Sequence, residues 1–348
     1  NDFTQRVISI GSVKNPVINE RLNDFTSDTY ILNLKKDVDK VYLNFSNYED
    51  QLQHAFKHYK HYFPKKSIPT VITYISGFNY AILTDKNYLG IGLDMFLGAD
   101  YEAYKKLGLP NYKTNFMNQE HLVANALLGW VSTEFVLEEK NTDLITEMIH
   151  QGKVLYLLDA LMPDQPNTVK ISYTKEQMDW CENNAEPIWY YFIDNNLLYS
   201  KKMNEIIKYM GEAPFIQGFP TGSPGRVGHW VGWQIVKAYM DQNPTVTIAQ
   251  LMANNNPQTI LNKSRYTSLV RAQLSNDELV GFIRMGNDLT ENYYQIEIPL
   301  QVSTSTTREG LWPVENEINL PIDVLGQIKS MGISDGTLTN IDPTFYDV

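Results

Sequence analysis

A short stretch near residue 120 holds the residue types of a zinc-peptidase helix, Asn118-Gln-Glu-His-Leu-Val-Ala-Asn125. Such a helix needs His-Glu-x-x-His, which puts two imidazoles on one face and supplies a Glu as general base. Here Glu120 and His121 are adjacent, and no register gives two histidines four residues apart. A further ligand would come from the next predicted helix, where His150 and Gln151 stand. One His per helix does not complete the usual site, so we predict hydrogen-bonded polar residues, no metal and no cofactor.

Three more histidines share one face of a predicted helix, His54, His58 and His61 at i, i+4 and i+7. This spacing can chelate a metal. Lys57 and Lys60 surround them and the region has a solvated pattern. Adventitious binding is therefore favoured over a functional site.

The most specific local pattern is Ser223-Pro-Gly-Arg-Val-Gly-His-Trp-Val-Gly-Trp233. It predicts a helix with Ser223 as its N-cap and Pro224 in the first turn. Gly228 and Gly232 lie one turn apart, which lets another helix backbone approach closely. Helix–helix packing is the favoured interpretation.

The sharper alternative for this stretch is a binding role for Arg226 and His229 in the same cleft. The lone cysteine, Cys181, lies in a helical pattern and can form neither an internal disulfide nor a Cys-based zinc site. We interpret it as a packed core thiol rather than a nucleophile. No phosphate-binding glycine loop and no Ser-His-Asp arrangement stands out.

The elements that must position these residues are helices around a small sheet, an α+β pattern. A strand is predicted at 69–77, and a hairpin is predicted from 79–84 and 88–97. Pro187 predicts a kink, and the sequence Thr174-Lys-Glu-Gln177 predicts a capping box. Helical patterns cover residues 48–62, 117–135, 142–161, 174–199, 200–210, 224–239, 247–253 and 257–263.

The pattern changes after about residue 265. Residues 266–348 hold four basic and twelve acidic residues, a net charge of −8, whereas the first 265 residues carry −3. Short strand patterns follow at 269–274, 279–284 and 293–302, with a predicted helix at 322–331. The shift predicts a domain boundary, with a helical domain at 1–265 and a β-rich segment at 267–348.

Bulk composition excludes several classes of protein. The net charge of −11 argues against a nucleic-acid partner, because phosphate neutralisation needs clustered Lys and Arg. No stretch approaches the roughly 20 apolar residues of a membrane span. The polar start at Asn1 is not a signal peptide, so we expect a cytoplasmic protein or a trimmed exported one.

Four stretches together resemble the gliding-motility lipoprotein family GldB over roughly residues 20–265. They are Phe63-Pro64, Gly90-Ile-Gly-Leu-Asp-Met-Phe-Leu-Gly98, Tyr173-Thr-Lys-Glu-Gln-Met-Asp-Trp-Cys-Glu182 and Ser223–Val236. The resemblance implies a periplasmic, lipid-anchored component of gliding and type 9 secretion. Family members would carry a lipid-bearing Cys near the mature N-terminus, so its absence here places the anchor upstream of residue 1 or among removed residues. Contact with the membrane would be through that anchor alone.

That family in turn resembles zinc peptidases distantly, which implies a zincin-like, degenerate metallopeptidase-like fold. The region Gln119–Val123 would carry the His-Glu-x-x-His of those peptidases, and Gln151 would stand at the position of a Glu ligand. This chain departs at both places. The resemblance thus favours a non-catalytic binding or scaffold protein without catalytic or metal residues, and the alternative is a zinc-dependent peptidase with an atypical site. The candidate binding residues of the degenerate cleft are Glu120, His121, His150, Gln151, Arg226 and His229.

The C-terminal segment resembles a stretch of SprA, the outer-membrane translocon of type 9 secretion. The similar residues are Phe282–Gly286, Asn292–Leu300 and Leu311–Asn316. Our hypothesis is that the chain is a fusion, or a joining of two polypeptides, that captures their interaction. The expected partners are a SprA-type translocon and other gliding and secretion proteins, bound by strand addition at a sheet edge.

Overall fold

The computed structural model describes residues 3–85, 87–137, 142–220, 222–267, 269, 280–282 and 295–297. Two compact units divide the chain, residues 1–267 and residues 268–348. The first unit is mainly helical with one small sheet, which confirms the predicted α+β class. Likeness to the zinc-peptidase fold remains a prediction.

The helices of the first unit differ greatly in length and in how deeply they are buried. Short 3-10 turns at Leu93–Phe96 and Gln119–His121 and a π-helical turn at Phe3–Val7 complete the helical content. The α-helices are α1 (Ile18–Ser27), α2 (Thr29–Val41), α3 (Ser46–Tyr62), α4 (Glu102–Lys106), α5 (Asn111–Thr114), α6 (Leu122–Glu134), α7 (Leu144–Leu161), α8 (Asn167–Ile171), α9 (Lys175–Asn183), α10 (Ala185–Asp194), α11 (Met203–Met210), α12 (Val227–Gln242), α13 (Ile248–Ala253) and α14 (Pro257–Ser264).

The sheet has three strands, β1 (Thr70–Tyr74), β2 (Ile82–Asp85) and β3 (Tyr88–Gly92). Its order is β1-β3-β2, with β3 parallel to β1 and antiparallel to β2. The predicted strand and hairpin are confirmed. The hairpin's second strand is shorter than predicted, because the chain turns into 3-10 helix directly after Gly92.

The core is built on α6, α7 and α12, which bury apolar side chains around most of their circumference. Helices α7 and α12 meet at Gly152 and Gly232. A Cβ on Gly152 would lie 2.1 Å from the carbonyl oxygen of Gly232, and one on Gly232 would lie 1.7 Å from that of Met148. Only hydrogen fits at these two positions. Of the two glycines in the predicted pattern, Gly232 is therefore the one that lets the backbones of α7 and α12 pack closely.

Helix α12 begins later than predicted, at Val227, after Arg226 in the left-handed region with φ of 56°. Ser223 is not its cap: its hydroxyl accepts from the amide of Ile216 instead. A Cβ on Gly225 would lie 2.4 Å from the carbonyl oxygen of Ala213, so the backbone before α12 is packed tightly against another segment. This long-range contact overrides the local N-cap pattern.

The capping box at Thr174 is confirmed, with Gln177 as its partner. The predicted kink is displaced, because α9 ends before Asn184 and α10 starts at Ala185. Pro187 lies in the first turn of α10, where a missing amide hydrogen removes no helical hydrogen bond. The break therefore precedes the proline.

In the second unit the structure describes two short antiparallel strands, β4 (Val280–Phe282) and β5 (Gln295–Glu297). Both fall inside predicted strand patterns. Leu269 is helical, so a strand beginning there is wrong at that residue. The rest of the predicted β-rich segment, including the helix at 322–331, lies outside the described residues. No helix in the described ranges is long and apolar enough to cross a membrane.

Candidate binding cleft

A cleft of about 340 Å³ opens beside β2 in the first unit. Its walls come from the sheet edge, α5, α6, the α8–α9 connection and the segment before α12. The lining residues are Ala81, Ile82, Met95, Phe96, Tyr112, Lys113, Phe116, Met117, Asn125, Leu128, Gly129, Ser172, Tyr173, Gln177, Glu212, Ala213, Gly225 and Arg226. The lining is thus largely apolar with a few polar and charged side chains.

Strand β2 is an edge strand. Among the described residues it pairs only with β3, so its other backbone edge has no strand partner. Ile82 packs against α6 so closely that a Cβ on Gly129 would lie 2.9 Å from its Cγ2. The cleft therefore has a sheet edge along one wall and a buried helix along another.

Arg226 is held at the cleft by backbone contacts. Its Nη2 donates to the carbonyl oxygens of Ile171 at 2.9 Å and Ser172 at 3.1 Å, and the guanidinium lies 5.9 Å from the ring centroid of Tyr173. Within the described ranges no carboxylate forms an ion pair with it. The Arg226 charge is therefore fixed in position and uncompensated.

Two further contacts shape the same walls. Lys113 and Glu212, from different parts of the chain, form an ion pair at 3.0 Å. The hydroxyl of Tyr173 donates to the carbonyl oxygen of Gly225 at 2.7 Å, and burial raises the pKa of this phenol. Because Gly225 directly precedes Arg226, this bond also fixes the backbone that carries the guanidinium.

Asp94 supports the loop that leads into β2, and sequence patterns did not single it out. Its Oδ2 accepts from the amide of Phe78 at 2.7 Å and from the amide and hydroxyl of Ser76, both at 3.1 Å. Burial raises the pKa of Asp94, although these hydrogen bonds oppose the shift. Phe78 has a φ of 68°, so the carboxylate stabilises a loop that the backbone alone disfavours.

His121 and Glu120 lie in the 3-10 turn directly before α6 and do not line the cleft. The Nδ1 of His121 lies 2.8 Å from Oδ1 of Asn118, and its ring packs on Phe116. Burial lowers the pKa of His121, while neighbouring Glu120 opposes the shift. Glu120 is exposed.

The other candidates are spread over two helices. His150 lines a second cavity, and burial, helped by Lys153, lowers its pKa to about 4. Gln151 is half-buried and lines neither cavity. Burial first and Arg226 second lower the pKa of His229 to about 3.

Neither of these two cavities brings the six candidate residues together. Arg226 lines the first cavity and His150 the second, and the other four line neither. Throughout the part of the chain that the structure describes, no group of three His, Cys, Asp or Glu side chains could hold a metal. In the helix with three histidines, Nδ1 of His58 lies 3.1 Å from the carbonyl oxygen of Leu161. Cys181 is fully buried, and burial raises its pKa.

Comparison with known families gives two matches along the chain. A family model for the gliding motility protein GldB matches residues 1–268, and one for the motility related/secretion protein SprA_N matches residues 253–342. No curated protein and no solved structure matches. The two matches make this a gliding-motility and secretion-related protein. Because the first match spans more than half of the sequence, the chain belongs to the GldB family of gliding-motility lipoproteins.

Proposed function

We propose that the first unit is a non-catalytic, periplasmic, lipid-anchored scaffold that binds an extended acidic segment of a SprA-type translocon. The segment adds a strand to the free edge of β2, and its acidic side chains meet Arg226. Other gliding and secretion proteins assemble around this complex. The observation that carries the proposal is a strand edge with no strand partner in the described part of the chain, beside an arginine that pairs with no described carboxylate.

The order of the two families along one chain supports this partner. Covalent linkage raises the effective concentration of two binding modules to the order of millimolar, so joined partners remain associated. The second match begins at residue 253, inside the stretch matched by the first. We infer that the chain joins two polypeptides that interact in the cell, either naturally or as a fusion. The mass of the native product decides this point, because a natural protein spanning both regions rules out an artificial fusion.

The chemistry of the cleft supports an extended acidic ligand. Strand addition supplies main-chain hydrogen bonds, and side-chain pockets beside the edge supply specificity. Residues 266–348, which include the SprA-like region, carry a net charge of −8. An arginine that is held by two carbonyls and has no carboxylate partner among the described residues is suited to pair with such a segment.

The position of α6 beside the sheet edge supports descent from a peptidase-like ancestor. Asn125 on α6 lines the cleft, where a working zinc peptidase would direct the ligands of its metal helix. The chain departs from the peptidase motif at Gln119–Val123 and at Gln151, so the cleft lacks the metal ligands of a zinc peptidase. We infer that the cleft retained its ligand-binding form and lost its chemistry.

Binding between separate polypeptides tests the proposal. Residues 1–267 have their own core and residues 268–348 form the other unit, so the two are produced apart and titrated by calorimetry. We expect saturable binding. Asn125→Phe should weaken it at least about tenfold, because the ring fills the cleft and the Asn125 side chain has no hydrogen bond to another described residue.

The matched control is Asn23→Phe on the exposed side of α1. It should leave affinity unchanged. The proposal fails if the separate units do not bind, or if both phenylalanine variants bind as the unmodified protein does.

A further inference from the structure

A second cavity, of about 640 Å³, lies between the end of α6, the middle of α7 and the end of α13. It shares no lining residue with the cleft beside β2. Its volume is within the range of small-molecule sites in proteins. The lining residues are Glu134, Phe135, Val136, Leu137, Thr146, Ile149, His150, Lys153, Met252, Ala253, Asn254, Asn255 and Pro257.

Lys153 is the main charged group of this cavity. Its side chain is buried, with 6% of the residue exposed, and its Nζ donates to the carbonyl oxygen of Asn254 at 2.8 Å. An ammonium has three N–H donors. In the described ranges no carboxylate lies within ion-pair distance of Nζ and no second acceptor is present, so two donors have no protein partner.

The single bond to Asn254 has a structural role, since Asn254 follows the last residue of α13 and such carbonyls need donors. That role needs one N–H and no positive charge. Burying a charge without a counter-charge is unfavourable, and here burial lowers the pKa of Lys153 to about 8. A neutral donor such as glutamine would satisfy the carbonyl at lower desolvation cost. A buried charge that helix capping does not need favours a function beyond capping.

Glu134, the acidic residue among the described lining residues, does not compensate Lys153. The Oε2 of Glu134 accepts from the hydroxyl of Tyr59 at 3.2 Å and from Nζ of Lys66 at 3.1 Å. This carboxylate is already neutralised by Lys66. His150, one turn before Lys153 on α7, supplies a neutral imidazole to the same wall.

Just over half of the wall is apolar. Its apolar side chains include Phe135, Leu137, Ile149, Met252 and Pro257, and its polar side chains besides Lys153 include Thr146, His150 and Asn255. A buried cation at one place and apolar side chains around it match an amphipathic anion. A strongly hydrated inorganic anion would gain nothing from the apolar surface.

We propose that this cavity binds a carboxylate carried on an apolar group, with Lys153 as the counter-charge. The carboxylate accepts hydrogen bonds from the remaining N–H groups of Lys153, and the apolar group packs against Ile149 and Met252. Two sources carry this chemistry, a medium-chain fatty acid and the C-terminal residue of an apolar peptide. The site is independent of the proposed translocon contact.

Calorimetric titration of the full chain with paired probes tests the site. Octanoate is compared with octanol, and acetyl-trileucine with its C-terminal amide. We expect at least one acid to bind at least tenfold more tightly than its neutral counterpart, because it gains hydrogen bonds to a charged donor. The acid that binds identifies the source.

Variants assign the binding to Lys153. Lys153→Met should reduce acid affinity at least tenfold and leave octanol binding unchanged, and Lys35→Met, at an exposed lysine of α2, is the control. Ala253→Glu provides a second variant, because Ala253 is exposed and adjoins Asn254, so its carboxylate competes for the ammonium. We expect a loss of about three- to tenfold there, even if Lys153→Met fails to fold. Equal binding of acids and neutral probes, or unchanged acid affinity in a folded variant, overturns the proposal.

Discussion

The indole N–H of Trp233 donates to Oδ2 of Asp159 at 2.8 Å, joining α12 to α7 inside the first unit. The Oδ1 of the same carboxylate accepts from Nζ of Lys170 at 2.9 Å, and Lys170 is 4% exposed. Lys237 lies 3.7 Å from Oδ2 and also 3.7 Å from the Trp233 ring centroid. One carboxylate therefore compensates a buried lysine and orients a buried tryptophan.

Asp159→Ala should lower the free energy of unfolding by about 3 kcal/mol. The substitution leaves the Lys170 ammonium buried without its counter-charge and removes the acceptor of the indole. Urea denaturation at neutral pH measures the loss. Asp159→Leu combined with Lys170→Met should recover part of it, because the double variant removes the buried Lys170 ammonium together with its counter-charge.

A surface ion pair provides the comparison for this network. Asp39 pairs with Lys35 on the exposed face of α2. Asp39→Ala should cost less than about 1 kcal/mol, because exposed pairs contribute little. Equal losses for Asp39→Ala and Asp159→Ala would contradict the role given to the buried network.

Two glycines of α12 should respond differently to the same added methyl group. In Gly232→Ala the Cβ would lie 1.7 Å from the carbonyl oxygen of Met148, so two helix backbones must separate. In Gly228→Ala the closest atom is Sδ of Met210 at 2.4 Å, the far part of a flexible side chain. We expect a loss of about 3 kcal/mol or more for Gly232→Ala and a change within about 1 kcal/mol for Gly228→Ala.

Thermal and urea unfolding of the two variants check this order. A further variant, Gly228→Leu, should destabilise the fold, because a larger side chain cannot be accommodated by a shift of Met210 alone. If Gly228→Leu kept full stability but lost partner binding, Gly228 would belong to a binding surface and not to the packing contact.

Local patterns in the sequence were enough to predict many elements of this fold. The Thr174 capping box, the hairpin around Asn87 and the glycine contact of α12 are each encoded within a few residues. The two helices before residue 42 were not predicted, although apolar residues recur at helical spacing in both, and few of their residues are buried. The start of α12 was misplaced, since the backbone contact between Gly225 and Ala213 has no local signal.

The candidate site was less predictable than the fold, for the same physical reason. Arg226 was identified from an unusual local motif, and it does line the cleft. Asp94, Lys153 and Asp159 were missed, because their importance depends on burial and on partners far away in sequence. A lysine is normally solvated, so nothing near Lys153 in the sequence indicates that its charge is buried.

Metal content separates the scaffold from the rival zinc peptidase. We expect no stoichiometric zinc in protein purified without added metal. Nδ1 of His121 lies at hydrogen-bond distance from Oδ1 of Asn118, and His150 lines a cavity that His121 does not line. Elemental analysis of the unmodified protein and of His121→Ala and His150→Ala should give the same values. Stoichiometric zinc that disappears in these variants would support the peptidase.

Stability should fall in mild acid because of His229. Its pKa in the folded protein is lowered to about 3 by burial and by Arg226, against an ordinary value near 6.5, while a hydrogen bond to the backbone of Met210 opposes the shift. Below pH 6.5 the unfolded chain therefore binds a proton at this residue that the folded chain does not. The stabilisation is complete above pH 6.5 and is lost as the pH falls towards 3.

We expect the free energy of unfolding to drop between pH 7 and pH 5 by about 1–2 kcal/mol more in the unmodified protein than in His229→Gln. Chemical denaturation at a series of pH values measures both slopes. His61→Gln, at a histidine exposed to water on α3, is the control and should keep the slope of the unmodified protein. Since His150 and His121 also have lowered pKa values, a residual slope should persist in His229→Gln. Parallel slopes for His229→Gln and the unmodified protein would show that the His229 ring is solvated enough to accept a proton in the fold.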